Sequence, residues 1–412
     1  MGALQFIDCR GGQPAKARPR ILTRRRGFGI SLVAALAFAQ VACSPELAVE
    51  AGLVLEDIAA GDGPSRLKDS TPEPKRAPVA YQIAGRLRGG DLYQPSNGAL
   101  AAIVLVPGLA EAGKNDRRLV AFAKTLARAR FAVLVPDIGG LRALKVQASD
   151  PREIADAVRY LASSDGLAPE GRIGIAAVSY AVGPAVIAAL EPDVRERVQF
   201  VIGVGGYHDI KAVVAFFTTG YYRDGPDGPW RYRKPNAYGR WVFVLSNLGL
   251  VRDSGDRAIF SAMARRVLKN YAPEVVDFSA YLNFGTGDLE ARLSTEGRAF
   301  YALLTNTDPE RVRALIAALP EEVRADLDSL DLANKDLDRL SARLILVHGL
   351  DDDIIPFSES KALAGAVAES QVDLFLVDGL KHVDTGTSVL GSAQLLSAVY
   401  RLLEERDATP RG

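Results

Sequence analysis

The chain has 412 residues, 48% of them hydrophobic and 24% charged, and its 50 basic side chains are balanced by 50 acidic ones. This is an ordinary globular composition, long enough for one large domain with an insertion or for two domains, and the neutral balance excludes the basic footprint of a nucleic-acid binder. Three histidines argue against a multi-histidine metal site. Both cysteines, Cys9 and Cys43, lie near the N-terminus, so everything after Cys43 has neither a disulfide nor a cysteine-ligated metal.

The segment up to Arg26 is polar and basic, with Arg18, Arg20, Arg24, Arg25 and Arg26. The apolar run Gly27–Ala42 follows, shorter than the roughly 20 residues that a spanning helix needs. Basic region, short apolar region and small residues in that order predict an export signal over 1–43. Arg24-Arg25-Arg26-Gly27-Phe28 resembles a twin-arginine signal. Val41-Ala42-Cys43-Ser44 resembles a bacterial lipoprotein processing site, with Gln40 where that pattern prefers Leu. The resemblance implies lipidation of Cys43, and Ser44 after it implies an outer-membrane anchor facing the periplasm. The alternative is a plain cleaved signal or an uncleaved anchor. Residues 44–78, rich in Pro, Gly and charge with no apolar period, are expected to be a flexible tether holding the domain off a membrane surface.

Tyr81, Ile83 and Leu87 before Gly89-Gly90 predict an edge strand and a turn. The continuous apolar runs Ala101–Gly108 and Phe131–Asp137, separated by a helical stretch over Arg118–Arg130, predict strands buried on both faces of a parallel sheet. Asp150-Pro151 then opens a helix as cap and first-turn residue. Further buried strands follow at Arg172–Ser179, Val198–Gly206, Ala342–Gly349 and Val372–Gly379, with helices between them and at the C-terminus. The alternation predicts an α/β class, a doubly wound and mostly parallel sheet formed by 79–206 and 342–405. The intervening 207–341 is too long for a connection. It carries helical patterns such as Val312, Leu315, Ile316 and Leu319, so it is expected to be an inserted helical cap.

Ser179 stands where a buried strand passes sharply into a helix, in Ala177-Val178-Ser179-Tyr180-Ala181 with Gly183 following. A nucleophile elbow needs small residues two before and two after the nucleophile, because strand and helix backbones approach there. Alanines stand here in place of the usual glycines. Read on local sequence alone, the alternative for Ser179 is an ordinary helix N-cap serine.

With His348-Gly349-Leu350-Asp351-Asp352-Asp353-Ile354-Ile355-Pro356 and His382 added, residues 80–405 resemble the α/β-hydrolase superfamily. The second segment is similar to that family's H-G-x-x-D-x-x-V-P motif. The resemblance implies Asp352 as the catalytic acid, with Asp351 and Asp353 as near competitors and Asp209 as a distant alternative. It implies His382 as general base and His348 as a structural residue; His208 is read as a pocket or loop residue. The chain order Ser, Asp, His is the family's own.

In such a site His382 takes the proton of the Ser179 hydroxyl, and Asp352 sets the imidazole tautomer. The oxyanion needs two backbone donors. These are expected from Tyr180 and, by the resemblance, from Leu109 in the loop after the first buried strand, with Ala110 as alternative. The expected activity is that of a serine hydrolase of the carboxylesterase kind, cleaving a small-molecule ester through an acyl-enzyme, with no metal and no cofactor. Its alternatives are an amidase, thioesterase or acyltransferase with the same triad, or a catalytically silent envelope binding or scaffold protein. The aromatic set Phe216, Phe217, Tyr221, Tyr222, Trp230, Tyr232, Tyr238, Trp241 and Phe243 either lines an acyl pocket over Ser179 or packs the cap's own core. Arg223, Arg231, Arg233 and Lys234 among them are expected to form a solvated rim, with contact to an anionic group as the alternative.

Overall fold

The computed structural model describes residues 44–269, 289–382 and 389–408. The expected export signal and Cys43 lie outside these residues. Among the described residues no helix is long and apolar enough to cross a membrane.

Eight strands form one sheet in the order β1 (Lys75–Ile83), β2 (Arg86–Gln94), β4 (Phe131–Pro136), β3 (Ala101–Leu105), β5 (Ile173–Val178), β6 (Val198–Val204), β9 (Arg343–Gly349) and β10 (Val372–Val377). β2 is antiparallel to both of its neighbours, and the strands from β4 to β10 are mutually parallel. Strands β3 and β4 are buried along their whole length. Helices cover both faces, so every position of these runs meets apolar packing, and the sequence shows no alternation. The α/β class and the doubly wound, mostly parallel sheet are as expected. β3 leads to β4 on one side while β5 continues to β6 on the other. The carboxyl ends of β3 and β5 therefore flank a topological switch point, where open α/β sheets place their ligands.

The N-terminal part of the described chain differs from expectation. Residues 44–78 are no tether: Pro45–Ala60 and Arg66–Ser70 are helices, and β1 begins at Lys75. The first helix packs beside the C-terminal helix Val389–Asp407, with Ala51 and Val54 in a core shared with Leu402 and Leu403. Its Asp57 is buried and accepts hydrogen bonds from Ser65 Oγ and from Thr125 Oγ1 (2.6 Å), while Lys68 Nζ lies 2.6 Å away. Glu50 pairs with the buried Arg406. Two of the charges that read as solvation, Glu50 and Asp57, are partners in pairs with a buried member, which a local scan cannot see. Helix begins at Pro45, so 44–78 holds no flexible spacer of the expected length.

The first turn also moves. Ala84 and Gly85, both with positive φ (48° and 81°), form the two-residue link between β1 and β2. Gly89 and Gly90 lie inside β2 instead. A Cβ on Gly90 would sit 2.6 Å from the carbonyl oxygen of Val135, so this glycine lets β2 approach β4. Pro78 is tolerated in β1 because an edge strand leaves one side of its ladder unpaired.

Between β6 and β9 the described residues are chiefly helical, including Ile210–Thr219, Ala237–Asn247, Ser254–Lys269, Thr295–Leu304, Val312–Ala317 and Glu321–Leu330. A short ribbon of β7 (Tyr221–Tyr222) and β8 (Arg231–Tyr232) is added, which the helical periodicity does not foreshadow. Tyr207, at the entrance to this insertion, donates its hydroxyl to the Leu330 carbonyl (3.0 Å) and closes the insertion onto its own base.

Candidate active site

Ser179 directly follows β5 and has φ 62°, a left-handed conformation that costs a serine on the order of 1–3 kcal/mol. The chain then turns through Ser179–Ala181 into the helix Val182–Leu190. Ala177 is paired with Gly203 of β6, and a Cβ on Gly203 would lie 2.9 Å from Val182 Cγ1. Gly206 is equally tight, its Cβ position 2.5 Å from the same methyl. The neighbouring strand thus supplies the small residues against which the first turn of the helix rests. This gives a physical reason why alanines suffice at 177 and 181.

Three residues from distant segments converge. His382 Nε2 lies 2.6 Å from Ser179 Oγ, and His382 Nδ1 lies 2.6 Å from Asp352 Oδ2. An ionised carboxylate only accepts, so Nδ1 carries the proton and donates to Asp352, which leaves Nε2 to accept from the Ser179 hydroxyl. Asp352 and His382 are buried, and Ser179 is partly exposed. Gly205, with φ 63°, passes close by: a Cβ there would lie 3.4 Å from both Asp352 Oδ2 and His382 Nδ1.

Asp352 Oδ1 accepts from the backbone N–H of Ile354 (2.8 Å) and of Ile355 (2.9 Å). Oδ2 is shared by His382 and by His348 Nε2 at 3.3 Å. Burial alone would raise this carboxyl. The closeness of His382 and the hydrogen bonds from His348 and His382 outweigh it and hold the group well below the usual carboxylate range. Asp351 is exposed and lies 3.4 Å from Arg233, and Asp353 is pushed up by burial and by the neighbouring Asp352 charge. Asp209 caps the helix Ile210–Thr219 through its bonds from Lys211 N and Ala212 N and pairs with Arg313, so it plays no part in this constellation.

His348 does more than fill a loop. It is fully buried, its Nε2–H donates to Ile355 O (2.9 Å), and its Nδ1 accepts from Ser360 Oγ (2.6 Å). The sequence motif placed it correctly, but its contact with Asp352 depends on a loop closure that spacing does not reveal. His208 stays away from the site; its N–H and that of Asp209 donate to Glu359 Oε2 at 3.1 and 2.8 Å.

Glu359, at the start of the helix after the Asp352 loop, is buried, and that burial pushes its carboxyl up to about 8. Between its ordinary value of 4.5 and about 8 the folded chain keeps a proton that the unfolded chain has lost, so this group's contribution to stability falls as pH rises through that window. Glu359→Gln is therefore expected to leave Tm unchanged near pH 5 and to raise it relative to wild type near pH 8.5, as read by thermal melts across pH.

Of the two expected oxyanion donors, Tyr180 follows Ser179 at the start of the turn, where the first backbone N–H groups have no intrahelical partner. Leu109 follows β3, and its carbonyl accepts from the hydroxyl of Tyr238 at 3.0 Å. The aromatic set divides. Phe216, Phe217, Tyr222, Trp241 and Phe243 are buried packing residues. Trp230 lies under Arg223 and donates to Glu310. Tyr238 is bonded to a loop of the site. Arg233 is no solvated rim residue, for it donates to the carbonyls of Leu350 (2.6 Å) and Asp352 (3.0 Å). A cavity of about 40 Å³ is lined by Tyr180, Val213, Phe217, Val242, Phe243 and Leu330, among others; Ser179 and His382 are not among its lining residues.

No family model matches the chain. No curated protein matches it either. Solved structures do. A Legionella pneumophila protein described as a hydrolase has a TM-score of 0.52 over 87% of this chain and 96% of its own, at 14% identity. The α/β hydrolase GrgF from Penicillium sp. covers 82% of this chain and 99% of its own, at 19% identity and a TM-score of 0.45. The chain spans about two fifths of the acylaminoacyl peptidase from Pyrococcus horikoshii (79% of this chain, 41% of that one), at 11% identity and a TM-score of 0.44. The sheet order, the strand–turn–helix at Ser179 and the superposition on the Legionella protein agree on one architecture: the chain has the α/β-hydrolase fold.

Proposed function

We propose that the protein is a serine hydrolase that cleaves small carboxylic esters through an acyl-enzyme, with Ser179 as nucleophile, His382 as general base and Asp352 as orienting acid. The observation that supports this most is the pair of 2.6 Å contacts linking Ser179, His382 and Asp352 in that order. A serine hydroxyl is a weak nucleophile at neutral pH until an adjacent base takes its proton. As Ser179 Oγ bonds to the ester carbonyl carbon, its proton passes to His382 Nε2. The same proton then goes to the leaving alkoxide. Water, activated by His382 in its turn, attacks the acyl-enzyme and releases the acid. Asp352 keeps Nδ1 protonated throughout and stabilises the imidazolium. The N–H groups of Tyr180 and Leu109 receive the carbonyl oxygen as it gains charge, each worth about 2.7–4 kcal/mol in such sites.

The apolar cavity beside Tyr180 is the proposed acyl site. One water-sized probe takes roughly 10–15 Å³, so this cavity suits an acyl group of only a few carbons. The expected result with p-nitrophenyl esters is higher kcat/KM for acetate to butyrate than for octanoate. A matched anilide should turn over far more slowly. Preference for long acyl chains would move the acyl site elsewhere, and preference for the anilide or a thioester would replace the esterase reading. The export signal over 1–43 and a lipid on Cys43 are part of the same proposal. They would bring the enzyme to esters of the cell envelope.

A further inference from the structure

We propose that the segment Arg233–Tyr238 is a positioning strap that holds the acid loop and the oxyanion loop in one mutual arrangement; this rests on the serine-hydrolase reading above. At one end Arg233 Nη1 donates to the carbonyls of Leu350 (2.6 Å) and Asp352 (3.0 Å), and its backbone N–H donates to Gly220 O (2.9 Å). In the middle Asn236 N–H donates to the Asp353 carbonyl (2.7 Å). At the other end the Tyr238 hydroxyl donates to the Leu109 carbonyl (3.0 Å). The Asn236 side chain accepts from Tyr238 N (3.0 Å) and so caps the helix that carries Tyr238. Within six residues the insertion therefore bonds to the carbonyls of Leu350, Asp352 and Asp353 and to the loop that carries the second oxyanion donor.

The strap is stiff for local reasons. Pro235 fixes its own φ and drives Lys234 toward an extended conformation. Gly220, at φ 80°, opens the space for Tyr232 and Arg233, since a Cβ there would lie 2.5 Å from the Tyr232 ring and 2.8 Å from Arg233 O. Gly239 lets the strap's helix settle on the residue after the nucleophile, its Cβ position being 2.8 Å from Tyr180 Oη. A peptide group is planar, so a hydroxyl bound to Leu109 O orients the whole Leu109–Ala110 peptide. The N–H of that peptide is Ala110's, the alternative second oxyanion donor; the Leu109 N–H belongs to the preceding peptide and is tied to the Leu109 carbonyl only through the Leu109 backbone torsions. Tyr238 and Arg233 are thus positioning residues, acting through the backbone of the two loops.

The test uses the whole protein and its preferred short-chain ester. Tyr238→Phe keeps the ring and removes one hydroxyl. The expected result is a roughly tenfold fall in kcat with KM within about twofold of wild type and an unchanged Tm. A trifluoromethyl ketone with the same acyl group supplies the readout that a purely structural role would not move. It accepts Ser179 Oγ at its carbonyl carbon, the hydroxyl proton passing to His382, and presents a tetrahedral oxyanion. Its Ki should rise by the same factor by which kcat/KM falls. Arg233→Met should also lower kcat, and the double variant should lose less than the product of the two, because both act through one element. Wild-type kcat and ketone affinity in Tyr238→Phe, or strictly multiplicative losses in the double variant, would overturn the strap. Failure of a fluorophosphonate to label the wild-type protein would overturn the hydrolase reading and this inference with it. A labelled wild type with an indifferent Tyr238→Phe overturns this inference alone.

Discussion

Ser179→Ala is expected to lower ester turnover by about 10⁴- to 10⁶-fold and to abolish labelling by a fluorophosphonate. The size follows from the role proposed for the hydroxyl. Without it no acyl-enzyme forms, and only the oxyanion donors and substrate binding remain to assist water. Stability should move little, since alanine suffers at φ 62° much as serine does. Ser179→Gly makes the companion measurement. Glycine takes that conformation freely, so this variant should be equally inactive and yet more stable than wild type by about 1 kcal/mol. A gain in Tm with complete loss of turnover would identify the turn at Ser179 as strain retained for function. An active Ser179→Ala protein would end the serine mechanism.

Asp352→Asn is expected to cost about 10⁴-fold in kcat with little change in KM. An amide cannot match a carboxylate here. It would present an N–H either to the His382 Nδ1–H or to the N–H groups of Ile354 and Ile355, which now donate at 2.8 and 2.9 Å. The imidazole would then favour the tautomer that points a proton at Ser179. The same substitution has a stability signature. The folded carboxyl is held below its ordinary value, so it stabilises the fold above the unfolded pKa, and that contribution is lost as pH falls through the folded one. The Tm deficit of Asp352→Asn should be large at pH 7 and shrink below about pH 4, as followed by melts across pH. An Asp351→Asn control, at an exposed residue 3.4 Å from Arg233, should retain most of the activity.

Much of the molecule is legible in its sequence. The buried runs at 101–105, 131–136, 173–178 and 343–349 are apolar without alternation, a pattern set by burial on both faces of a parallel sheet. The positions of Ser179, Asp352 and His382 were also accessible, because each stands just after a strand in a recognisable local setting. The helices of 45–60 and 66–70 were not. Their charges look solvent-bound in the chain and are paired in space, as with Glu50 and Arg406, whose encounter spans nearly the whole sequence. The same reason hid the parts played by His348, Arg233 and Tyr238. Each acts through a hydrogen bond to a backbone or side chain that the fold delivers.

Local composition determined where strands and helices form and which side chains could carry the chemistry, because backbone propensity and periodic burial are properties of neighbouring residues. The distances among those side chains, the tautomer of His382 and the route of the insertion across the two loops were decided only by tertiary packing. They depend on contacts between segments far apart in the chain, and no spacing along it encodes them one residue at a time.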